Sequence, residues 1–231
     1  METKVKICGL TCEKDVEYVL VAKPDYVGMV CFFSKSKRNI SIERAKSLIK
    51  LLKASDESIS VCAVTVSPEA WQVCDIIEAG FDHIQIHGEM KNEISQMDYP
   101  AGFTIIRAFN NVDEMTLKEI AASKDNKNIG YYLFDAAEPG SGKQFEWSSI
   151  PGLDVLCKPY FLAGGLNPDN VKYAVESIHP YAVDVSSGVE CDVQPTPEEV
   201  QGGASMKDRD KILEFVANAR GRSQATLFVL S

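Results

Sequence analysis

Short apolar segments rich in β-branched residues recur along the whole chain and alternate with segments of helical period. Eight of them predict strands, at residues 5–8, 26–31, 59–66, 83–87, 104–108, 129–134, 160–163 and 182–185. Between most of them apolar residues return every three or four positions, as in segments 42–52 and 70–77, which indicates helices. This alternation predicts parallel strands joined by crossover helices, because a tight turn cannot link parallel neighbours.

The number of these units decides between two arrangements of a parallel sheet. Eight units are predicted in 231 residues, and a closed barrel of eight such units typically has about 250 residues. We therefore predict an α/β fold with a single (β/α)₈ TIM barrel over residues 1–220, and a doubly wound open sheet is the alternative. Residues 221–231 form a C-terminal tail to which we assign no role.

Short motifs predict where helices begin and end. Ser67-Pro68-Glu69 and Asn167-Pro168-Asp169 each place a capping residue before a proline and an acidic residue, which is typical of a helix N-terminus. The last helix is predicted from about residue 207 to residue 220, because an apolar stripe there is followed by Gly221. After the sixth strand only residues 147–150 show a weak helical pattern.

Composition and charge restrict the classes of partner. The chain is 45% hydrophobic and 25% charged, as in ordinary globular proteins, and its formal charge is −9. An acidic surface repels phosphate backbones and anionic lipid, so we expect neither nucleic acid nor a membrane as partner. The first residues lack the layout of a signal peptide, and no apolar run approaches the roughly 18 residues of a membrane span.

The cysteines indicate a reducing compartment. Seven of them are scattered through apolar runs without the close pairing of a disulfide framework, so we expect the cytoplasm. Cys8 and Cys12 are four residues apart, a spacing that could place two thiolates on one helical face. No other cysteine or histidine pair supplies the remaining ligands of a zinc site, so we expect no metal.

Catalytic groups of such a barrel lie at the carboxyl ends of its strands, where the following loops reach the substrate. Two glycine-containing loops, Gly164-Gly165 after the seventh strand and Ser187-Gly188 after the eighth, leave backbone N–H groups available at helix starts. Barrels of this class most often hold phosphate there. We predict a phosphate site, with simple tight turns as the alternative.

An acid and a thiol occupy two other strand ends. Cys8 can serve as a base or nucleophile if nearby positive charge lowers the pKa of its thiol, although most buried cysteines are small apolar residues. Asp135 can act as an acid if partial burial favours its protonated form, and the alternative is a solvated loop carboxylate. Their strands are nearly opposite in a ring of eight, so a small substrate could lie between them.

Three basic residues are further candidates. Arg38 could bind a substrate carboxylate with two parallel hydrogen bonds, although a solvated basic turn is the alternative. His87 could act in acid–base chemistry or as a structural residue. Arg107 could pair with a carboxylate in the mouth of the barrel.

Five ordered motifs together resemble one enzyme family, phosphoribosylanthranilate isomerase of tryptophan biosynthesis. The resemblance extends from about residue 4 to residue 220. The motifs are Lys6-Ile7-Cys8-Gly9-Leu10, Gln85-Ile86-His87-Gly88, Asp135 with the segment 139–147, Leu162-Ala163-Gly164-Gly165-Leu166-Asn167-Pro168, and the segment 183–190.

The resemblance implies an Amadori rearrangement of N-(5-phosphoribosyl)anthranilate without a metal or organic cofactor. In the family's pattern Cys8 is the general base and Asp135 the general acid. Arg38 then meets the anthranilate carboxylate. The phosphate rests on Gly164, Gly165, Ser187 and Gly188, and a mobile loop over it is formed by Gly140, Ser141 and Gly142. The resemblance leaves open whether the chain is a monomer or a homodimer. Pro139 and Glu146 depart from the residues that relatives often carry.

Two other interpretations compete with this one. The isomerase of histidine biosynthesis catalyses the same rearrangement on a larger substrate, but it has an aspartate where Cys8 stands and an internally doubled half-barrel, of which no matching halves are visible here. A catalytically silent barrel that binds phosphorylated metabolites or serves as a scaffold is the alternative from another class.

Overall fold

The computed structural model describes residues 2–111, 113–135, 156–193, 195–196, 199 and 205–221. Eight parallel strands form a closed ring in which each strand pairs with the next along the chain and the eighth with the first. A two-residue strand, Asn39–Ile40, pairs in parallel with the end of the second strand. The eight strands are β1 Lys4–Cys8, β2 Tyr26–Cys31, β3 Ser60–Val66, β4 His83–His87, β5 Thr104–Phe109, β6 Ile129–Asp135, β7 Tyr160–Ala163 and β8 Ala182–Val185.

Helices follow the strands and cover the outside of the ring. The helices in the described ranges are α1 Glu13–Ala22, α2 Ile42–Ser55, α3 Ala70–Glu78, α4 Asn92–Gln96, α5 Glu114–Ser123, α6 Pro168–Ile178 and α7 Arg209–Ala219, and one 3₁₀ turn spans Ser187–Val189. None of these helices is long and apolar enough to cross a membrane. The closed parallel ring with outer helices confirms the predicted (β/α)₈ barrel and excludes the open sheet.

Side chains alternate between two cores along each strand. On β1, Val5 and Ile7 belong to the large apolar core between the strands and the helices. The intervening residues, Lys6 and Cys8, face the interior of the ring, because Lys6 reaches partners on β4 and β8. The interior is therefore where polar side chains of different strands meet.

Aromatic rings fill the amino end of this interior. Tyr26 lies edge-on to Phe161 with ring centroids 5.2 Å apart, and Tyr131 stacks on Tyr181 at 5.1 Å. The hydroxyl groups of Tyr26 and Tyr181 are 2.9 Å apart, within hydrogen-bond distance, which ties rings from opposite ends of the sequence. His83 also contacts Tyr26. Aromatic side chains thus fill the amino end, whereas Cys8, His87 and Asp135 end their strands at the carboxyl end.

Most of the predicted element boundaries agree with the structure to within one or two residues, with one exception. Asn167 caps α6 as predicted, and its side chain accepts hydrogen bonds from the backbone of Asp169 and Asn170. The predicted cap Ser67 is wrong: α3 begins after Glu69, whose backbone N–H donates to the side chain of Gln72. The weak pattern at 147–150 and the tail after Gly221 lie outside the described residues.

Candidate active site

Cys8 ends β1 inside the barrel and is only 7% exposed. Its side chain packs against Val30 and Val64 of the next two strands. Gly28 is its register partner on β2, and a Cβ atom at that position would lie 2.8 Å from the Cys8 sulfur. The absence of a side chain at Gly28 therefore provides the space that the thiol occupies.

Charged groups surround this thiol. Burial raises the pKa of Cys8, Lys6 lowers it, Asp184 raises it, and Lys207 and Arg38 lower it. The net pKa lies above the usual value for cysteine, because desolvation of the thiolate outweighs the three cations. The thiol is therefore mostly protonated at neutral pH.

Asp135 is the last residue of β6, three strand positions from β1 around the ring through β7 and β8. It shares the inward-facing parity of Leu133, which packs in the interior core. Its carboxylate acts on His87, at the end of β4. The structure thus places Asp135 and Cys8 at the same end of one interior.

A chain of hydrogen-bonded polar side chains crosses this interior. Lys6 donates from Nζ to Asp184 Oδ2 at 2.8 Å and to Gln85 Oε1 at 2.7 Å. The Gln85 amide nitrogen lies 2.7 Å from His87 Nε2. The other carboxylate oxygen of Asp184 is buried and has no hydrogen-bond partner among the described residues. His87 is therefore part of a network at the mouth, rather than an isolated histidine.

Sequence reasoning assigned no role to Lys6, Gln85 or Asp184. The sequence does contain a signal for them. Lys6 and Gln85 each lie two residues before a strand-end residue, and Asp184 lies between two valines of an apolar strand. Period-two alternation puts such a residue on the same face as the strand-end residue. Charged side chains are almost never fully buried without a partner, so a buried pair could have been expected.

Arg38 lies across the end of β1 and is held by Glu190. Its Nε donates to Glu190 Oε1 at 2.5 Å, and a Cβ atom at Gly9 would lie 2.6 Å from the Arg38 Cδ atom. Lys37 and Lys207 also pair with Glu190. No described residue accepts a hydrogen bond from the Nη atoms of Arg38. Those nitrogens therefore provide donors suited to an anionic ligand.

Glu190 is a buried carboxylate that no local pattern predicted. Burial acts to raise its pKa, but Arg38, Lys207 and Lys37 outweigh burial and hold the pKa below its usual range. Burial lowers the pKa of Lys207, whose Nζ also donates to the carbonyl oxygen of Ser186 at 2.9 Å. Glu190 thus gathers cations from two loops beside the end of β1.

The two glycine-containing loops are in direct contact. A Cβ atom at Gly188 would lie 2.0 Å from the carbonyl oxygen of Leu166, so only glycine allows this approach. Gly164 and Gly165 have φ angles of +87° and +67°. The prediction of free N–H groups at the start of α6 needs correction, because Asn167 accepts hydrogen bonds from two of them and Pro168 has none. The remaining candidate donors are backbone groups of the glycine-containing loops.

A cavity of about 460 Å³ adjoins these loops. Its lining includes Ser187, Gly188, Asn167, Lys37 and Lys211. Glu190, which pairs with Arg38 beside the end of β1, also lines it, whereas Cys8 and Asp135 are not among its described lining residues.

Arg107 is not part of the mouth. Its neighbours Ile106 and Ala108 face the interior, and its own side chain lies outside the ring, where Nε donates to Glu119 of α5 at 2.6 Å. The predicted carboxylate partner exists but lies on a helix, so the prediction of a mouth contact is wrong. Arg107 instead donates to the carbonyl oxygens of Ile86, Ala108 and Gly88. Gly140, Ser141 and Gly142 lie outside the described residues.

Comparisons with known proteins identify the family. The family model of N-(5'phosphoribosyl)anthranilate (PRA) isomerase matches residues 5–218. An N-(5'-phosphoribosyl)anthranilate isomerase of Streptococcus gordonii is 37% identical over 220 residues, covering 94% of this chain and 98% of the relative. The corresponding protein of Streptococcus pneumoniae (strain Hungary19A-6) is 36% identical over 219 residues, which cover 94% of this chain and 96% of the relative.

Solved structures give the same result. The phosphoribosyl anthranilate isomerase of Thermotoga maritima superposes with a TM-score of 0.75 at 32% identity, covering 95% of this chain and 99% of that one. A second isomerase structure, with a TM-score of 0.73 at 30% identity and the same coverage of both chains, is a complex with reduced 1-(o-carboxyphenylamino)-1-deoxyribulose 5-phosphate. A further Thermotoga maritima structure contains mutually generated monomers of a dimeric isomerase. By fold, by sequence and by the motifs at its strand ends, this chain belongs to the phosphoribosylanthranilate isomerase family.

Proposed function

We propose that this protein converts N-(5'-phosphoribosyl)anthranilate to 1-(2-carboxyphenylamino)-1-deoxyribulose 5-phosphate, the aldose–ketose isomerisation of tryptophan biosynthesis. The observation that carries the proposal is the placement of Cys8 and Asp135 at the carboxyl ends of two strands of one interior, in a chain of this family. A structure of similar fold with a reduced phosphorylated analogue bound supports the substrate class.

In the proposed reaction Asp135 is the general acid and Cys8 the general base. Asp135 gives its proton to the ribose ring oxygen, and the ring opens to a Schiff base. The Cys8 thiolate then removes the proton from C2′, which leaves an enolamine that tautomerises to the ketose product. The two groups act on different atoms of the sugar, which fits their location on strands three positions apart.

The remaining residues of the site bind the two anionic ends of the substrate. Arg38 receives the anthranilate carboxylate through its Nη atoms, because Glu190 already holds its Nε. Backbone groups of Gly164, Gly165, Ser187 and Gly188 receive the phosphate, and Gly140, Ser141 and Gly142 are further substrate-binding residues by the family's pattern. An anionic substrate can bind despite the formal charge of −9, because the nearby cations Arg38, Lys37 and Lys207 act on it more strongly than distant surface charge does.

The proposed catalytic unit is residues 1–220, acting as a monomer or homodimer on a small phosphorylated substrate. We place it in the cytoplasm, because Cys8, Cys12, Cys31 and Cys62 are buried thiols of the kind that a reducing compartment maintains.

The decisive experiment follows the decay of phosphoribosylanthranilate fluorescence with purified protein, together with growth of a bacterium lacking this isomerase on tryptophan-free medium. We expect both activity and rescue. Cys8→Ser and Asp135→Asn should each lower kcat by about 10² to 10⁴-fold, the usual contribution of one acid–base group, without loss of the fold.

Two matched variants control for the chemistry of the substitution. Cys74→Ser changes an exposed thiol and Asp98→Asn an exposed carboxylate, so both should retain normal turnover. Near-normal turnover in folded Cys8→Ser or Asp135→Asn would refute the assigned pair. Folded wild-type protein that neither turns over the substrate nor rescues growth would favour the silent barrel.

A further inference from the structure

The chemistry of the groups in the hydrogen-bonded chain through Gln85 decides which of them donate and which accept. Lys6, Gln85 and Asp184 are 0%, 3% and 6% exposed, so these groups satisfy one another rather than water. Burial acts to lower the pKa of Lys6, but the charge of Asp184, the neighbouring Cys8 and Cys62 and the hydrogen bond to Asp184 together raise the pKa above the usual lysine value. Lys6 therefore remains an ammonium group, which has three donors and no acceptor.

This ammonium group fixes the orientation of the Gln85 amide. The two ends of an amide are ordinarily assigned from their partners, and here the end near Lys6, at 2.7 Å, must be the acceptor oxygen. The NH₂ group of Gln85 then faces His87 Nε2 at 2.7 Å. Because the amide nitrogen only donates, Nε2 must accept, and a ring nitrogen that accepts carries no proton.

Several neighbouring groups affect the pKa of His87. Burial lowers the pKa of His87, while the charge of Asp135 and a hydrogen bond with the Asn110 side chain raise it; Lys6 lowers it further and Asp184 raises it. The net direction is downward, so the imidazole is neutral at pH 7. Its single proton then lies on Nδ1.

We propose that Gln85 is a positioning residue that holds His87 as the neutral Nδ1–H imidazole beside Asp135. The catalytic consequence rests on the proposed function, in which Asp135 must hold a proton until the sugar ring opens. An imidazolium ion at this place would stabilise the Asp135 carboxylate and weaken the acid, whereas a neutral ring avoids that charge. The hydrogen-bonded chain thus separates the Lys6 ammonium from the acid by two neutral groups.

The test is the tautomer itself, read from ¹⁵N NMR of the imidazole rings in the full-length protein. The chain has three histidines, so loss of one set of signals in His87→Asn assigns the spectrum. We expect wild-type His87 to be neutral and protonated on Nδ1 at pH 7. A wild-type ring protonated on Nε2, or on both nitrogens, would overturn the proposal.

Gln85→Glu reverses the hydrogen bond and is the informative variant. A carboxylate has no donor, so one oxygen can accept from Lys6 while the other requires a proton on His87 Nε2. We expect the ring to move its proton to Nε2 or to become doubly protonated, with a raised pKa. Gln85→Met is the matched control, because it removes the donor and supplies neither a charge nor more than the weak acceptor of a thioether sulfur. It should give mixed tautomers and no rise in the His87 pKa.

Kinetics then separate this inference from the proposed function. Gln85→Glu should lower kcat by at least ~10-fold and shift the acidic limb of its pH profile, with KM little changed, and Gln85→Met should lose less. An active enzyme whose His87 spectrum is unchanged in Gln85→Glu would overturn the positioning role alone. An inactive wild type with the expected tautomers would overturn the function alone. If Gln85→Glu does not fold, the wild-type and Gln85→Met spectra decide the question.

Discussion

At the scale of single residues, the environment of Cys8 combines opposing effects. Burial disfavours its thiolate, while Lys6, Lys207 and Arg38 favour it. An exposed cysteine would ionise more readily but would leave a labile Schiff base in contact with water. Burial therefore shields the Cys8 base from water but disfavours its ionised form.

This balance predicts the pH dependence of turnover. A base is active when deprotonated, whereas an acid is active when protonated, so the ionisation of Asp135 opposes that of Cys8 in the wild type. Because the pKa of Cys8 is raised, the residual kcat/KM of Asp135→Asn, in which the acid no longer titrates, should increase with pH from about 7 to beyond the ordinary thiol value of ~8.5. The measurement is a pH profile of kcat/KM. Residual activity of Cys8→Ser should lack this alkaline rise. A flat Asp135→Asn profile over this range would contradict the role of Cys8.

Residue parity explains which candidate residues the sequence could locate. Cys8, His87 and Asp135 are recognisable because each ends a predicted strand or directly follows one. Arg107 lies outside the ring rather than in the mouth, because its strand neighbours Ile106 and Ala108 face the interior and alternation turns Arg107 outward. Glu190 could not be found from local pattern, since its partner Arg38 is 152 residues away in sequence.

At the scale of elements, the contact between the last two strand-end loops constrains the shape of the proposed phosphate site. The 3₁₀ turn Ser187–Val189 approaches the carbonyl oxygen of Leu166 at Gly188. Because that neighbour is backbone, no side-chain rotation can relieve an added methyl group. Each loop therefore constrains the position of the other.

Gly188→Ala should both destabilise the protein and weaken substrate binding. We expect a loss of about 3 kcal/mol in the free energy of unfolding, at the upper end of overpacking costs, and a clear rise in KM. Gly165→Ala is the comparison: its φ of +67° is strained for alanine but its Cβ has open space, so about 1–2 kcal/mol is expected. Urea unfolding measures both. An equal or smaller loss in Gly188→Ala would contradict the close contact.

The helix starts show why element boundaries are harder to predict than elements. The motif predicts Ser67 as the cap of α3, but the helix begins after Glu69. Ser67 instead accepts a hydrogen bond from the backbone of Glu89, in the loop after β4. That competition is between loops distant in sequence, so a local motif could not resolve it.

At the scale of the whole molecule, one carboxylate joins the first and last elements of the ring. Asp25 accepts hydrogen bonds from the Lys4 side chain, from the backbone of Val5 and from Arg220 after α7. Burial acts to raise the pKa of Asp25, but these donors outweigh burial and lower the pKa below its usual value. The charged form is therefore the one that stabilises the fold.

Asp25→Asn should consequently lower stability in a pH-dependent way. A group with a depressed folded pKa contributes above the unfolded value of ~3.9, and its contribution disappears as pH falls through the folded pKa. We expect a loss of about 1–2 kcal/mol at pH 7, because hydrogen bonds to a charged group are broken. Denaturant unfolding at pH 7 and near pH 2 measures the difference. A loss that persists unchanged in acid would contradict this assignment.

The aromatic side chains that fill the amino end of the barrel interior affect how ligands enter and leave it. With Tyr26, Phe161, Tyr131 and Tyr181 occupying the lower interior, the described residues provide no second route through the ring. Under the proposed function, substrate and product therefore share the opening at the carboxyl ends of the strands. A product molecule must therefore leave the barrel interior before the next substrate molecule can bind.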